Sequence, residues 1–197
     1  MKTLILNGSP RKDGDTAYLI NKLFSRLYGE YKIVDCYTAD IAPCIDCRSC
    51  REKLSCPIRD EMQEIYAYLS ECDHVIISSP VHYAELSSAL LKVASRFQIY
   101  SSAQIFRHEM LPVKAKHGAV ILAQGGSGGA ECAYETARLI FQSIGIKEIY
   151  PLVCSRNTDH LHVVKDEQAI SDVLKLAEWL NTFEDTMQNQ DMPQITW

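Results

Sequence analysis

The fold is decided by the stretch Asn7–Thr16, NGSPRKDGDT, which lies between a short apolar run and a segment with helical periodicity. The run before it, residues 3–6, is continuous and mostly aliphatic, which is typical of a strand buried on both faces. The segment after it has apolar residues along one helical face: Ala17, Ile20, Leu23, Phe24 and Leu27. A strand, a tight polar turn and a helix start together predict an anion site, because a helix N-terminus offers unpaired N–H groups.

The turn also carries the side chains that a phosphate site needs. Ser9 and Thr16 provide hydroxyl donors, and Arg11 and Lys12 provide positive charge. The alternative is an ordinary strand–helix loop capped by Asp15 or Thr16, but the coincidence of glycines, hydroxyls and cations favours phosphate binding. The sequence excludes a Walker loop, since no Gly-Lys-Ser/Thr closes the turn, and it lacks the three-glycine spacing of the dinucleotide fingerprint.

The composition bounds the class of protein. A chain of 197 residues with 47% apolar and 23% charged residues suits one globular domain with a sizeable core. The net charge of −5 argues against a general nucleic-acid binder. No membrane-spanning run and no signal peptide are recognised, so a cytoplasmic location is expected, where the eight cysteines would stay reduced.

Further apolar runs predict four more strands, with helices between them and a last helix over 166–183. These strands are expected over 32–37, 74–80, 118–123 and 149–154. Alternation of strands and helices predicts an α/β three-layer sandwich whose parallel sheet is covered on both faces. The single domain is expected to span 1–185, with a cysteine-rich loop at 41–59 and a polar tail over 186–197.

Two more turns follow strands at the same expected edge of the sheet, where ligands of such folds bind. In the turn Pro80–Ala84, Tyr83 or His82 could stack on a planar ring, the alternative being a loop with two surface aromatics. The run Gly125–Gly129, GGSGG, costs backbone entropy unless a ligand approaches the main chain closely, the alternative being a flexible connection. One ligand touching all three turns would need a phosphate end, a flat middle and a polar edge.

Together the three motifs resemble the flavin loops of the flavodoxin-like NADPH-dependent FMN reductase superfamily. They are GSPRKxGxT from Gly8, SPVxY from Ser79 and GGSGG from Gly125, in the expected order over residues 1–150. The resemblance implies a five-stranded sheet in the order 2-1-3-4-5 with FMN at its carboxyl edge. It implies contacts to the FMN phosphate from Ser9, Arg11, Lys12, Gly14, Asp15 and Thr16. It implies contacts to the isoalloxazine and ribityl from Pro80, Val81, His82, Tyr83 and Ala84, and to the pyrimidine side from Gly125, Gly126, Ser127 and Gly128.

The chain departs from the pattern of this superfamily at two positions. Asp15 stands where Asn is usual, and a carboxylate beside a phosphate is repulsive unless it is turned away or protonated. Asp15 therefore either caps the helix or weakens FMN binding. His82 stands where Tyr is commoner, and it could stack on the flavin or titrate near it. No residue stands out as an acid–base catalyst.

The cysteine-rich loop contains the spacing Cys44-x2-Cys47-x2-Cys50-x5-Cys56. Gaps of two residues let consecutive thiolates converge on one centre, as the ligands of bacterial [4Fe–4S] clusters do. With the flavin loops, the spacing resembles the iron–sulfur flavoprotein branch of the superfamily, which implies a [4Fe–4S] cluster on these four cysteines. Zinc on the same sulfurs, a redox disulfide and an empty reduced loop remain open.

The resulting prediction is an FMN-dependent oxidoreductase or electron-transfer flavoprotein. FMN accepts a hydride and releases electrons singly, whereas a cluster carries single electrons, so a chain with both would join the two kinds of chemistry. NAD(P)H or a ferredoxin is expected as electron donor, and the resemblance implies a homodimer or homotetramer. The alternatives are a cluster-free NAD(P)H-dependent FMN or quinone reductase, an electron carrier without its own small substrate, and a zinc-stabilised binding module on the same scaffold.

Overall fold

The computed structural model describes residues 1–190, and side chains as far as residue 183. It is an α/β fold with a central sheet between two helical layers. The strands are β1 (Lys2–Asn7), β2 (Glu30–Asp35), β3 (His74–His82), β4 (Glu85–Leu86), β5 (His117–Ala123), β6 (Glu148–Ile149) and β7 (Val153–Ser155). The α-helices are α1 (Asp15–Phe24), α2 (Met62–Leu69), α3 (Ser88–Ala94), α4 (Gln98–Ser102), α5 (Ala130–Ser143) and α6 (Glu167–Gln190). Shorter helical turns cover Ser49–Arg51, Ser95–Phe97, Ala103–Arg107 and Val163–Lys165.

The sheet follows the path β2-β1-β3-β5-β6, with β7 also pairing with β5 and β4 pairing antiparallel with β3. The α/β fold with a parallel sheet is as predicted, but the five-stranded sheet in the order 2-1-3-4-5 was wrong, because seven strands form. Pro151 lies inside the predicted fifth strand and has no N–H for the ladder, so that stretch forms two short strands, β6 and β7, on the same neighbour.

The other difference from the predicted five-stranded sheet lies in the turn after the third strand. Here β3 continues to His82, which pairs with Glu85 of β4. The two residues between them, Tyr83 and Ala84, have φ angles of 53° and 63°. Two consecutive positive φ angles are typical of the type I′ turn of a tight hairpin. A two-residue strand has too little alternation to be recognised in a sequence, so only a turn was predicted there.

The core consists of one apolar cluster on each face of the sheet. In β1, Leu4 and Leu6 belong to the cluster beneath α2, α3 and α5, whereas Ile5 belongs to the cluster beneath α1 and α6. All three side chains are fully buried, which agrees with a strand covered on both faces. This packing holds the carboxyl ends of β1, β3 and β5 side by side at one edge.

The last helix, α6, continues to Gln190, beyond the predicted domain boundary at residue 185. The predicted polar tail over 186–197 therefore begins inside a helix, and residues 191–197 lie outside the described residues. Across residues 1–190, none of the helices combines the length and the apolar character needed to cross a membrane.

Candidate functional site

The turn between β1 and α1 has the geometry that an anion site needs. α1 begins at Asp15 after Gly14, and in the described part of the chain no side chain caps its N-terminus. Its first N–H groups are therefore available to a ligand, at the positive end of the helix dipole. Ser9 and Thr16 are buried, and the Ser9 hydroxyl lies 3.3 Å from the backbone nitrogen of Arg11.

The carboxylate of Asp15 is engaged by protein groups. Its Oδ1 accepts a hydrogen bond from the backbone N–H of Val163 at 3.3 Å and lies 3.8 Å from Nδ1 of His162. Asp15 therefore connects the predicted phosphate turn to the segment that precedes α6. The predicted capping of the helix by Asp15 is not seen among the described residues; its carboxylate is turned to partners in the segment before α6 instead.

The three predicted turns meet at a single cleft of about 270 Å³. It lies at the carboxyl edge of the sheet, where ligands of open α/β folds bind. It is lined by Ser9, Pro10, Arg11, Gly14, Asp15, Thr16, Pro80, Val81, His82, Ala123, Gly125, Thr158 and Asp159. The remaining predicted contacts lie outside this lining: Lys12, Tyr83, Ala84, Gly126, Ser127 and Gly128.

The tip of the β3–β4 hairpin stands apart from the cleft. Tyr83 is fully exposed, while Ala84 packs against the backbone of Gly129, where an added Cβ would lie 2.9 Å from the Ala84 Cβ. The hairpin is held against α5 by Glu85, whose Oε2 accepts a hydrogen bond from the Thr136 hydroxyl at 2.9 Å. Contact of Tyr83 with a flavin ring therefore stays a prediction.

The glycine run is paired with a segment that the sequence did not reveal. Backbone N–H groups of Asn157 and Thr158 donate to the carbonyls of Gly126 at 2.8 Å and Gln124 at 3.0 Å. The carboxylate of Asp159 lies so close to Gly125 that an added Cβ would be 2.3 Å from its Oδ2. Gly125 is required by this close approach rather than by flexibility. Because Thr158 and Asp159 belong to no recognised motif, only their place after β7 could have indicated them.

A buried ion pair closes the base of the cysteine-rich loop. Nη1 of Arg96 donates to Oδ2 of Asp60 at 2.6 Å and to the carbonyl of Ala42 at 2.8 Å, and Nη2 donates to the carbonyl of Ile58 at 3.3 Å. Burial alone would raise the pKa of Asp60, but hydrogen bonds from Arg96 and from the Ala42 N–H hold it below its ordinary value. We call these four residues, Ala42, Ile58, Asp60 and Arg96, the neck of the loop.

All four cysteines of the loop line one small pocket above this neck. Cys44 and Cys47 are exposed, Cys50 is half-buried with its Sγ 3.2 Å from the Ser102 hydroxyl, and Cys56 is buried. Hydrogen bonds from Ser49 lower the pKa of the Cys47 thiol. All eight cysteines of the chain are free thiols.

The positions of these sulfur atoms do not yet form a coordination site. Among the described residues, no three His, Cys, Asp or Glu side chains are arranged to hold a metal ion. Four soft sulfur donors on one loop and one pocket nevertheless suit, by their chemistry, an iron–sulfur cluster or zinc rather than a hard cation. The donor set therefore fits such a group, and its binding would need the exposed part of the loop to draw the sulfurs together.

The fold and the cleft define a flavodoxin-like α/β protein in which, among the described residues, the N-terminus of α1 has no side-chain cap and borders a cleft at the carboxyl edge of the sheet. Residues 1–156 match the family described as NADPH-dependent FMN reductase, and the chain belongs to that family. This membership confirms the resemblance found in the sequence and makes the protein an FMN-dependent oxidoreductase.

The relatives narrow the branch of the family. The chain is 27% identical over 144 residues to an iron–sulfur flavoprotein of Methanocaldococcus jannaschii, which is 72% of each chain. It is 28% identical over 134 residues to an iron–sulfur flavoprotein of Archaeoglobus fulgidus, which is 66% of this chain and 58% of that protein. The predicted similarity to the iron–sulfur flavoprotein branch is thereby confirmed.

Solved structures share the fold at low sequence identity. An FMN-dependent NADH-azoreductase from Bacillus anthracis, in complex with FMN, superposes with a TM-score of 0.65 at 20% identity and covers 91% of this chain and 99% of its own. An NAD(P)H:quinone oxidoreductase from Methanothermobacter marburgensis gives 0.62 at 14%, covering 90% and 93%. At such identities the likeness shows the fold alone.

Proposed function

We propose that this oxidoreductase binds FMN in the cleft at the carboxyl edge of the sheet, with the phosphate at the start of α1. The observation that carries the proposal is that the turn after β1, the last residues of β3 and the first glycine after β5 line one cleft. The N-terminus of α1 borders this cleft, and among the described residues no side chain caps it. Bound FMN supplies hydride acceptance and single-electron release.

Different residues of the cleft would contact the phosphate and the ring of FMN. The first N–H groups of α1 and the hydroxyls of Ser9 and Thr16 donate to the phosphate, and Arg11 offsets its charge. Asp15 also lines the cleft, but its carboxylate accepts the Val163 N–H, which turns one of its oxygens toward the segment before α6. Pro80–His82 would cover one side of the ring and exclude water there, leaving the open side to a donor.

As the electron donor we propose NAD(P)H, in contact with the open side of the cleft, with a ferredoxin as the second candidate. The family, described as NADPH-dependent FMN reductase, and the NADH-azoreductase and NAD(P)H:quinone oxidoreductase that share the fold support a nicotinamide donor. Anaerobic mixing with NADPH, NADH or reduced ferredoxin, followed by flavin absorbance, distinguishes them. The electron donor is the compound that reduces the flavin, seen as a loss of its absorbance, as fast as the enzyme turns over. Assembly into a homodimer or homotetramer stays a prediction.

For the cysteine-rich loop we propose a [4Fe–4S] cluster on Cys44, Cys47, Cys50 and Cys56. The shared pocket and the iron–sulfur flavoproteins among the relatives support this proposal. Iron and acid-labile sulfide in anaerobically purified protein would support it further. Zinc without iron would favour the zinc alternative, and neither metal would favour a cluster-free reductase.

Thr16→Val should weaken FMN binding by about 10-fold to 100-fold, because a hydrogen bond to a charged group contributes about 1.5–3 kcal/mol. The substitution nearly conserves shape and removes the hydroxyl of a side chain that lines the cleft. The dissociation constant is measured by the quenching of FMN fluorescence on titration with apoprotein. Thr38→Val, at an exposed position outside this cleft, is the matched control. Equal affinities of Thr16→Val and wild type would contradict the phosphate site.

Gly125→Ala should also weaken FMN binding, by about tenfold or more, since forcing a methyl group into a filled space costs about 1–3 kcal/mol. The new Cβ would displace the Asp159 carboxylate and with it the segment paired to the glycine run. Gly126→Ala is the control, because its Cβ would meet nothing within 4 Å. The double variant Gly125→Ala/Asp159→Gly should recover most of the affinity. If both single variants bind alike, the close approach at Gly125 has no role in the site.

A further inference from the structure

Arg96 carries an N–H group that the neck of the loop does not use. Its two terminal nitrogens bond the neck, whereas Nε is buried and has no hydrogen-bond partner among the described residues. The residue is only 1% exposed. Buried N–H groups are nearly always paired, and an unpaired one costs about 1–3 kcal/mol. Arg96 Nε therefore calls for an acceptor that the protein's own oxygen atoms do not provide.

The surroundings of Arg96 indicate the chemistry of that acceptor. Arg96 lines the same pocket as the four cysteines of the loop. Among them Cys56 is buried, and it lies close enough to Arg96 to interact with it electrostatically. The acceptors that this pocket concentrates are sulfur atoms, which accept hydrogen bonds well when they carry negative charge.

A second buried arginine borders the loop from another element. Nη1 of Arg107 donates to the carbonyl of Cys50 and Nε donates to Oε2 of Glu109 at 2.9 Å, while Nη2 is buried without a partner in the described part of the chain. Only 8% of its side chain is exposed. Each arginine is paired with a carboxylate, Asp60 or Glu109, so what both offer to a group bound by the loop is a buried N–H donor without an acceptor among the described residues. Such donors suit the sulfur atoms of iron and sulfide held by four thiolates.

We propose that Arg96 is a positioning residue with a second role: held by the neck, it donates its Nε–H to a sulfur of the group bound by the cysteine loop. This inference rests on the cluster proposed above. A hydrogen bond from a cation stabilises the more negative, reduced form, so Arg96 raises the reduction potential of the cluster. The same arginine thus closes the base of the loop and sets the reduction potential of the cluster that the loop binds.

The test compares anaerobically purified wild-type protein with Arg96→Lys and Asp60→Asn by a mediated redox titration that follows cluster absorbance or electron paramagnetic resonance. Arg96→Lys keeps the positive charge for Asp60 but lacks the Nε–H. We expect it to shift the reduction equilibrium of the cluster about tenfold toward the oxidised form, which is about 59 mV for a one-electron couple. Asp60→Asn loosens the same neck but keeps the Nε–H, and it removes a negative charge beside Arg96, so its potential should be equal to or higher than that of wild type.

The outcomes separate this inference from the proposal on which it rests. If the wild-type protein contains no iron and no acid-labile sulfide, both the cluster proposal and the inference about Arg96 are overturned. A wild-type cluster whose potential is unchanged in Arg96→Lys, or lowered equally in Asp60→Asn, overturns the inference alone. If Arg96→Lys loses its iron, retention of iron by Asp60→Asn under the same conditions supports the donor role, and equal loss from both overturns it.

Discussion

Asp60→Ala should lower the free energy of unfolding by about 3–5 kcal/mol, because removing one member of a buried ion pair leaves the other charge without compensation. Arg96 is 1% exposed and the Asp60 side chain 8% exposed, so water cannot replace the lost carboxylate without opening the loop. The Ala42 N–H would lose its acceptor in the same change. This loss is a large fraction of the 5–15 kcal/mol that typically stabilises a domain, roughly a fifth or more.

Urea unfolding of the apoprotein, followed by circular dichroism at neutral pH, measures the effect. Glu64→Ala is the control, because Glu64 forms an exposed ion pair with Lys32 and should change stability far less. Similar midpoints for Asp60→Ala and Glu64→Ala would show that the neck does not hold the fold together. A loss of metal binding without a loss of stability would place the role of Asp60 in the cysteine loop alone.

The parts of the fold that the sequence could predict are those encoded locally. Strand β1, the turn after it and helix α1 follow one another within 24 residues, and hydrophobic pattern and turn chemistry agree at each step. The prediction of one continuous fifth strand was wrong although the sequence contains the cause. Pro151 lies inside the predicted strand and interrupts it. The β4 hairpin is too short for a periodic signal.

The candidate site likewise contains residues that a local sequence pattern reveals and residues that it does not. Ser9, Pro80 and Gly125, which line the cleft, each belong to a predicted turn whose composition is unusual in itself. Asp159 and Arg96 were missed because their roles come from partners remote in the chain: Arg96 meets the Ala42 carbonyl across 54 positions. In the sequence, Arg96 follows the polar Ser95 between the apolar Val93 and Phe97, and nothing local distinguishes a buried arginine from a solvated one.

His74 is expected to make the fold sensitive to acid between about pH 6.5 and 4. Its side chain is fully buried, neither ring nitrogen has a partner among the described residues, and its ring centroid lies 5.3 Å from that of His117. Burial, and then the charge of His117, lower the pKa of His74 to about 4. Asp73, Lys114, the N-terminal amine and Glu148, which is paired with His117, complete the charged surroundings.

The sign of the effect follows from the proton balance. Unfolded, His74 has its ordinary pKa of 6.5, so between pH 6.5 and 4 the unfolded chain binds more protons than the folded one. The stability that His74 contributes is therefore present above pH 6.5 and is lost as the pH falls toward the folded pKa. A shift of this size corresponds to about 3 kcal/mol at full extent, since one pKa unit is about 1.4 kcal/mol.

His74→Phe should remove this dependence and leave a flatter stability curve over the same pH range. The measurement is the free energy of unfolding by urea at half-unit steps of pH, for the variant, wild type and His160→Asn, whose histidine is exposed. Carboxylates with lowered pKa values, such as Asp60 and Asp73, remain in all three chains, so the difference between curves isolates His74. Parallel curves for His74→Phe and wild type would show that His74 takes up its proton without opening the core, because the cost of charging it would then be absent.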